Sequence, residues 1–390
     1  MPFTGRIWVD VTGIAPGSDS ALFADFLCAG FGRAGVDLAL CCRDPGLRMF
    51  AWPEVGWCDA LPERGLRPVA LSRRHRLADR IPGPARRAIL RFVQLQRAVL
   101  TVQRAVRATS LPGPVAFPVS DAVMPRAGDV LLMLGMSGDA SRFAGAGVRL
   151  VLFLLDGLAA LRPEWLDRDT GVAVAAWRST TAPFLSVAIA ASPACADALA
   201  RFGVGVAGQM GRGAAVAGDD VPRGVRQNFV VAAGPVGVAG ATRHLLLAWR
   251  RLMETMGANE VPDLVLTGSV GPMADDVLAQ LHLSAGLGGK VLLAPFPSAA
   301  LHAALLRDGL FCIAPDITGG GFVTLEARAM GAACLSASGL DGSLKIDPEN
   351  AAALAEAVRA WLTAPPVVSS MVEARSWNDV AGDVLRMISA

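Results

Sequence analysis

The sequence predicts an α/β protein built from two doubly wound parallel-sheet domains. Three observations carry that prediction. Short apolar runs of strand length recur along the chain, stretches of helical spacing alternate with them, and the runs fall into two series divided by GQMGRGAAVAGDDVPRGVRQ (208–227). Strand–helix alternation builds parallel sheets with helices on both faces. The Gly, Asp, Pro and Arg content of the dividing stretch suits an interdomain linker. At 390 residues the chain is long enough for two such domains.

The first series is RIWVDV (6–11), VDLALC (36–41), DVLLML (129–134), RLVLFLL (149–155) and VAIAAS (187–192). The second is NFVVAAG (228–234), DLVLTGS (263–269), KVLLAP (290–295), LFCIAP (310–315) and AACLSAS (332–338). Continuous apolar runs of this kind suit strands buried on both faces. Between them lie helical patterns such as ATRHLLLAWRRLMETM (241–256) and SAALHAALLRDG (298–309). In open α/β sheets ligands bind beyond the carboxyl ends of the strands. A cleft between the two domains is therefore the default site.

Composition excludes several classes. The chain is 53% hydrophobic and 18% charged, which argues against disorder. Its apolar runs are too short to span a bilayer: VRLVLFLLDGLAAL (148–161) is broken by Asp156, and a span needs about 18 apolar residues. The start, MPFTGRIWVDVTG, reads as a strand entering a turn and not as a signal peptide, so a cytoplasmic location is the default expectation. Cys28, Cys41, Cys42, Cys58, Cys195, Cys312 and Cys334 form no CxxC and no Cys/His spacing for zinc. Apolar neighbours make them buried thiols. His75, His244, His282 and His302 are scattered, which argues against a zinc hydrolase. Net charge is +2, only Lys290 and Lys345 are lysine, and tyrosine is absent.

One segment departs from the alternation. Residues 64–107 are crowded with arginine. On a helix begun at Pro84, Arg86, Arg87, Arg91, Arg97 and Arg104 share one side, with Phe92, Leu95, Val99, Val102 and Val106 opposite. The functional reading is peripheral contact with an anionic membrane or an anionic acceptor. The plainer reading is a packed helix with a solvated basic face. Nothing resembles a nucleic-acid module.

The stretch TGGGFVTLEARAMGAACLSAS (318–338) carries the most chemistry. A glycine-rich turn between a strand end and a helix start offers backbone N–H groups to an anion. Glu326 falls near that helix start, where a carboxylate is favoured, and it can grip a ribose diol with two bonds. A tight turn followed by an N-terminal Glu explains the same residues without a ligand.

The order strand–GGGF–LEA–helix–G–strand in PDITGGGFVTLEARAMGAACLSAS (315–338) resembles the nucleotide-sugar site of GT-B retaining glycosyltransferases of family 4 (glycosyl transferases group 1). NFVVAAGPVGVAGATRHLLLAWRRL, DLVLTGSVG, KVLLAPFPSAALHAALLRDGLFCIAP and KIDPENAAALAEAVRAWL resemble successive units of that family's C-terminal domain, and SWNDVAGDVLRMI its closing helix. RIWVDVTG, GDVLLMLGMSGD, RLVLFLLDGLAALRPEWL and AIAASPACADALARFG resemble the N-terminal domain of some members. The match excludes about 45–127. It implies a GT-B fold with an acceptor-side Rossmann-like domain at 1–212 carrying the 64–107 insertion. A donor domain follows at 213–375, and a helix at 376–390 packs back on the first domain.

The resemblance also implies an activity. A sugar such as mannose passes, with retention and without a metal or other cofactor, from a nucleotide-diphosphate donor to a polysaccharide or lipid-linked saccharide acceptor. Glu326 would bind the ribose, and Gly319, Gly320 and Gly321 would face the diphosphate. Phe322, Leu325, Gly268 and Arg243 complete the donor-binding set. The leaving diphosphate would be stabilised electrostatically.

The chain departs from the family at four places. The first motif glutamate is replaced by Thr318 or, counted from Pro315, by Gly319. The diphosphate Arg and Lys are replaced by Pro235 and Gly240, and the histidine before Asp156 by Leu155. Charge-assisted bonds are the strong ones, so these losses weaken a diphosphate site. Three readings follow: an active transferase, a non-catalytic GT-B protein partnering an active one, and a related enzyme such as a nucleotide-sugar epimerase. A cation aimed at the glycine loop, Arg243 or Lys290, would favour the first.

If the arginine segment docks on membranes, the protein should bind anionic vesicles weakly and release them as salt rises, read by co-sedimentation. Indifference to lipid charge would favour the solvated helix.

Overall fold

The computed structural model describes residues 5–11, 19–43, 49–51, 67–68, 117–118, 124–136, 138–166, 168–210, 228–268, 270–271, 273–295, 299–315, 322–339, 343–366 and 376–389. Each expected run contributes a strand. The strands up to the linker are β1 (Ile7–Asp10), β2 (Leu38–Arg43), β3 (Met49–Ala51), β4 (Arg67–Pro68), β5 (Phe117–Pro118), β6 (Val130–Met133), β7 (Arg149–Leu154), β8 (Leu185–Ala190) and β9 (Gly208–Gln209). Beyond it come β10 (Phe229–Ala233), β11 (Asp263–Gly268), β12 (Val291–Pro295), β13 (Cys312–Ala314), β14 (Cys334–Ser336) and β15 (Leu344–Lys345).

The first sheet has the order β5-β3-β2-β1-β6-β7-β8-β9. Ile7 of β1 pairs in parallel with Leu38 and with Val130, while β3 and β5 add antiparallel at one edge. The second sheet has the order β15-β14-β13-β10-β11-β12-β4. All its pairs are parallel except β4 on β12. Both sheets are doubly wound and reverse direction at their first strand, β1 in one and β10 in the other.

β4 is the two residues Arg67 and Pro68, the described part of the arginine-rich segment. They form a strand on the second sheet, a place the sequence pattern did not suggest. An open edge such as that of β12 presents unpaired backbone groups that extended chain can satisfy. The helix expected from Pro84, and the linker beyond Met210, lie outside the described residues.

The first domain carries α1 (Asp19–Arg33), α2 (Ser141–Gly145), α3 (Leu158–Leu161), α4 (Arg168–Thr180) and α5 (Pro193–Arg201). The second carries α6 (Thr242–Met256), α7 (Asp275–Leu283), α8 (Ala299–Asp308), α9 (Phe322–Ala329) and α10 (Ala351–Thr363), and the chain closes with α11 (Trp377–Ser389). Local signals start several of them. Ser192 caps α5 by accepting from Cys195 N at 3.1 Å, with Pro193 at the first helical position. Asn350 caps α10 by accepting from Ala353 N at 3.0 Å.

Each face of the second sheet has its own apolar layer. α6, α7 and α10 cover one face through Leu245, Trp249, Leu281 and Val358. α8 and α9 cover the other through Leu305, Leu306, Val323 and Ala327. α11 belongs to the first domain's core instead. Trp377, Val380, Ala381, Val384 and Ile388 recur at helical spacing and are buried with Phe23, Leu27 and Phe31 of α1. Trp377 meets Phe23 edge-on at 5.0 Å between ring centroids, and Phe23 meets Phe153 in the same way at 5.0 Å. Among the described residues, no helix is long and apolar enough to cross a membrane.

Close approach of α1 and α11 depends on Gly30. A Cβ there would lie 2.8 Å from Ala381 Cβ and 2.8 Å from the carbonyl oxygen of Trp377. Gly30→Val should therefore destabilise the protein by about 1–3 kcal/mol through overpacking, read as a lower urea midpoint. An unchanged midpoint would show that α11 can move off without cost.

Candidate functional site

The second sheet positions the candidate site. From β10 the chain steps to β11 and β12 on one side, then crosses to β13 on the other. The loops leaving β10 and β13 must diverge, which opens a crevice at their carboxyl ends. Its floor is narrow: a Cβ on Gly234, after β10, would lie 3.9 Å from Cδ of Pro315, after β13. The glycine turn, including Thr318, Gly319, Gly320 and Gly321, lies outside the described residues.

The loop from Pro235 to Ala241 is folded tightly on itself. A Cβ on Gly240 would sit 1.9 Å from the Pro235 carbonyl oxygen, so packing requires glycine at the position where the family resemblance implies a cation. Gly237 N donates to Thr242 Oγ1 at 2.9 Å, and Thr242 N donates back to Gly237 O at 3.1 Å. Gly268 is held at φ +141°, and a Cβ on it would fall 2.1 Å from Gly234 O. Packing between the ends of β10 and β11 therefore explains Gly268 without a ligand.

A cavity of about 720 Å³ opens beside this loop, at the amino ends of α6 and α7. Arg243 and His244 line it, together with Asp275, Asp276 and Glu349. Three carboxylates thus share the wall with one guanidinium. Glu349 is also bonded across the domains, accepting from Arg162 Nη2 at 3.0 Å. That pair is exposed and contributes at most about 1 kcal/mol.

Glu326 does not line this cavity. It stands one turn into α9, past the first turn where the helix dipole is felt most. It is 4% exposed, on the face covered by α8 and α9. A carboxylate carried into an apolar layer needs a partner. His302 of α8 provides one: its Nε2 lies 3.2 Å from Glu326 Oε2, and the imidazole is itself 5% exposed. Beneath them Cys312 and Cys334 pair in register on β13 and β14. Burial, a hydrogen bond with Cys334 and the nearby charge of Glu326 push the Cys312 thiol well up, so it stays protonated. Cys28, Cys41, Cys195, Cys312 and Cys334 are buried thiols outside any disulfide, as their apolar neighbours predicted.

The remaining expected residues fall in several places. Thr324 is buried and Leu325 half-buried on α9. Phe322 reaches the first domain, its ring centroid 6.1 Å from that of Phe23. Asp156 is exposed and accepts from Leu158 N at 2.7 Å at the start of α3. Leu155, where the family has a histidine, is 3% exposed within the first domain's core. Lys290 is not aimed at the glycine loop. It sits at the amino end of the sheet, donating to Val261 O at 2.6 Å and lying 3.4 Å from Asp263 Oδ1. Arg243 reaches the cavity but is not brought to Glu326 by any described contact.

Sequence reasoning missed His302 and the Arg162–Glu349 contact. The signal for His302 was one polar side chain inside the apolar run LHAALL. No comparable signal joined Arg162 to Glu349.

No family model matches the chain, and no curated protein does. Solved structures match it. A UDP-forming α,α-trehalose-phosphate synthase from Burkholderia vietnamiensis is 14% identical, with a TM-score of 0.53 over 99% of this chain and 100% of that one. The UDP-GlcNAc 2-epimerase of Methanocaldococcus jannaschii, in complex with UDP-GlcNAc and UDP, is 10% identical, with a TM-score of 0.50 over 98% of this chain and 99% of that one. The pneumococcal O-GlcNAc transferase GtfA, in complex with UDP and GlcNAc, is 10% identical with a TM-score of 0.45, and 67% of this chain spans about half, 54%, of its length. These likenesses establish the fold: two Rossmann-like parallel-sheet domains in the GT-B arrangement.

If packing alone requires Gly268, Gly268→Ala should lose roughly 2–6 kcal/mol in urea denaturation without ligand, combining backbone strain and overpacking. An unchanged midpoint would return the residue to a donor-contact role.

Proposed function

We propose that this protein binds a nucleotide-diphosphate sugar in the crevice at the β10/β13 reversal and transfers the sugar, with retention, to a saccharide or lipid-linked saccharide acceptor. The observation that carries the reading is a buried, partnered carboxylate, Glu326, on the helix that follows the glycine turn at that reversal. A carboxylate is costly to bury. The reading is supported by its position in the sequence, where the family-4 resemblance implies the ribose carboxylate. The reaction assigned needs no metal, since charge on the departing diphosphate is met by backbone dipoles and cations. The proposal puts the enzyme in the cytoplasm, where nucleotide-sugar donors and lipid-linked acceptors at the inner membrane face are within reach. The sugar, mannose or another, stays open within it.

A second reading is favoured by the electrostatics of the cavity. Asp275, Asp276 and Glu349 face Arg243, and Pro235 and Gly240 stand at the two cationic positions. Such a wall repels a diphosphate. A GT-B protein that partners an active transferase without doing chemistry is consistent with it.

Calorimetry with UDP, GDP and their sugars at millimolar concentration tests the reading. Binding is expected. Glu326→Gln, which keeps the shape and removes the charge, should weaken it by roughly 10- to 150-fold, the equivalent of one charged hydrogen bond. No response to any nucleotide would sink the proposal, and full affinity in the variant would sink the ribose assignment. Binding without sugar turnover would favour the second reading.

A further inference from the structure

His302 is not among the residues through which the chain resembles a glycosyltransferase site, yet it packs against the carboxylate of Glu326. It projects from α8, whose other inward residues are Ala303, Ala304, Leu305 and Leu306, and it is 5% exposed. Its Nε2 reaches Oε2 of Glu326 at 3.2 Å from a separate helix. A glutamate has three rotatable side-chain bonds, and ordering them opposes binding. An ionised carboxylate offers two oxygens and about four lone-pair sites, and one imidazole nitrogen engages a single site. A ring packed against one oxygen limits the rotation of the carboxylate. Such pre-organisation lowers the ordering cost of recognition.

We infer that His302 is a positioning residue: it holds Glu326 in the orientation that accepts from the 2′- and 3′-hydroxyls of a nucleotide ribose. This rests on the nucleotide-binding reading above. His302 does not touch the ligand; it acts through Glu326. The role separates from that of a plain staple between α8 and α9, because a staple affects stability and not the preference for ribose.

The test compares whichever of UDP and GDP binds with its 2′,3′-dideoxy analogue, by calorimetry on the full chain. The natural protein should favour the ribonucleotide by about tenfold or more, the worth of one or two hydrogen bonds. His302→Ala should bring that ratio close to one. His302→Gln, which keeps a polar N–H group of similar reach beside Glu326, should restore most of it. A second readout is spectroscopic and follows the natural protein once the resonance is assigned. With four histidines in the chain, the His302 imidazole resonance can be assigned by its loss in His302→Gln. It should shift when the ribonucleotide is added and stay in place with the dideoxy analogue. A natural protein that binds no nucleotide overturns the functional reading and this inference together. A natural protein that binds both nucleotides alike, or a His302→Ala protein that keeps the natural ratio, overturns this inference and leaves nucleotide binding intact. An imidazole resonance indifferent to the ribonucleotide also overturns it.

Discussion

A parallel sheet has two apolar faces, and neither can be left to water. The architecture of this chain follows from that constraint. Every parallel step needs a crossover, and the crossover helices cover the sheet. Covering both faces forces the strand order to reverse, here at β1 and at β10. The reversal at β10 parts the loops after β10 and β13, and the candidate crevice lies between them. α8 and α9 cover one face and α6, α7 and α10 the other. That division decides which charged groups can meet. Glu326 and His302 share the α8/α9 face, whereas Arg243 stands on the α6 side.

Close backbone packing at the crevice limits what it can contain. Gly240 lies against Pro235 O and Gly268 against Gly234 O, so side chains larger than hydrogen are excluded at both. The amide of Gly237 is already bonded to Thr242. A loop stabilised in this way has little freedom to present cations to a diphosphate. The second domain is also tied to the first away from the sheets. Phe322 lies against Phe23, and Trp377 packs on the same ring from α11. The helix that carries Glu326 thus begins where the two domains touch.

Much of the fold was legible because the signals are local. RLVLFLL and FVVAA read as buried strands by their apolar continuity, and both form central strands. The pattern of Trp377, Val380, Ala381, Val384 and Ile388 marks one face of a helix wherever that helix packs. The short strands β3, β5, β9 and β15 were not legible. Two or three residues carry no periodicity, and the pairing partner alone makes them strands. The same holds for Arg67 and Pro68, which sit in an arginine-rich segment and pair with β12. Glu326 stood out in the sequence, but its depth did not, because a helix start reads the same whether exposed or covered. Lys290 looked available in the sequence. The amino end of the sheet and Asp263 occupy it.

The sequence by itself determined the two strand–helix series, the order of glycines ahead of Glu326, and the identities of Pro235, Gly240 and Leu155. These depend on residue identity and short-range spacing, which no later packing alters. Only the tertiary structure decided that Glu326 is buried and that His302 is its partner. It also placed Leu155 in a core and turned Asp156 to the start of a helix. Those outcomes depend on which helix covers which face of the sheet. That is set by the crossovers and the shared burial of segments far apart in the chain, and not by any pattern within one of them.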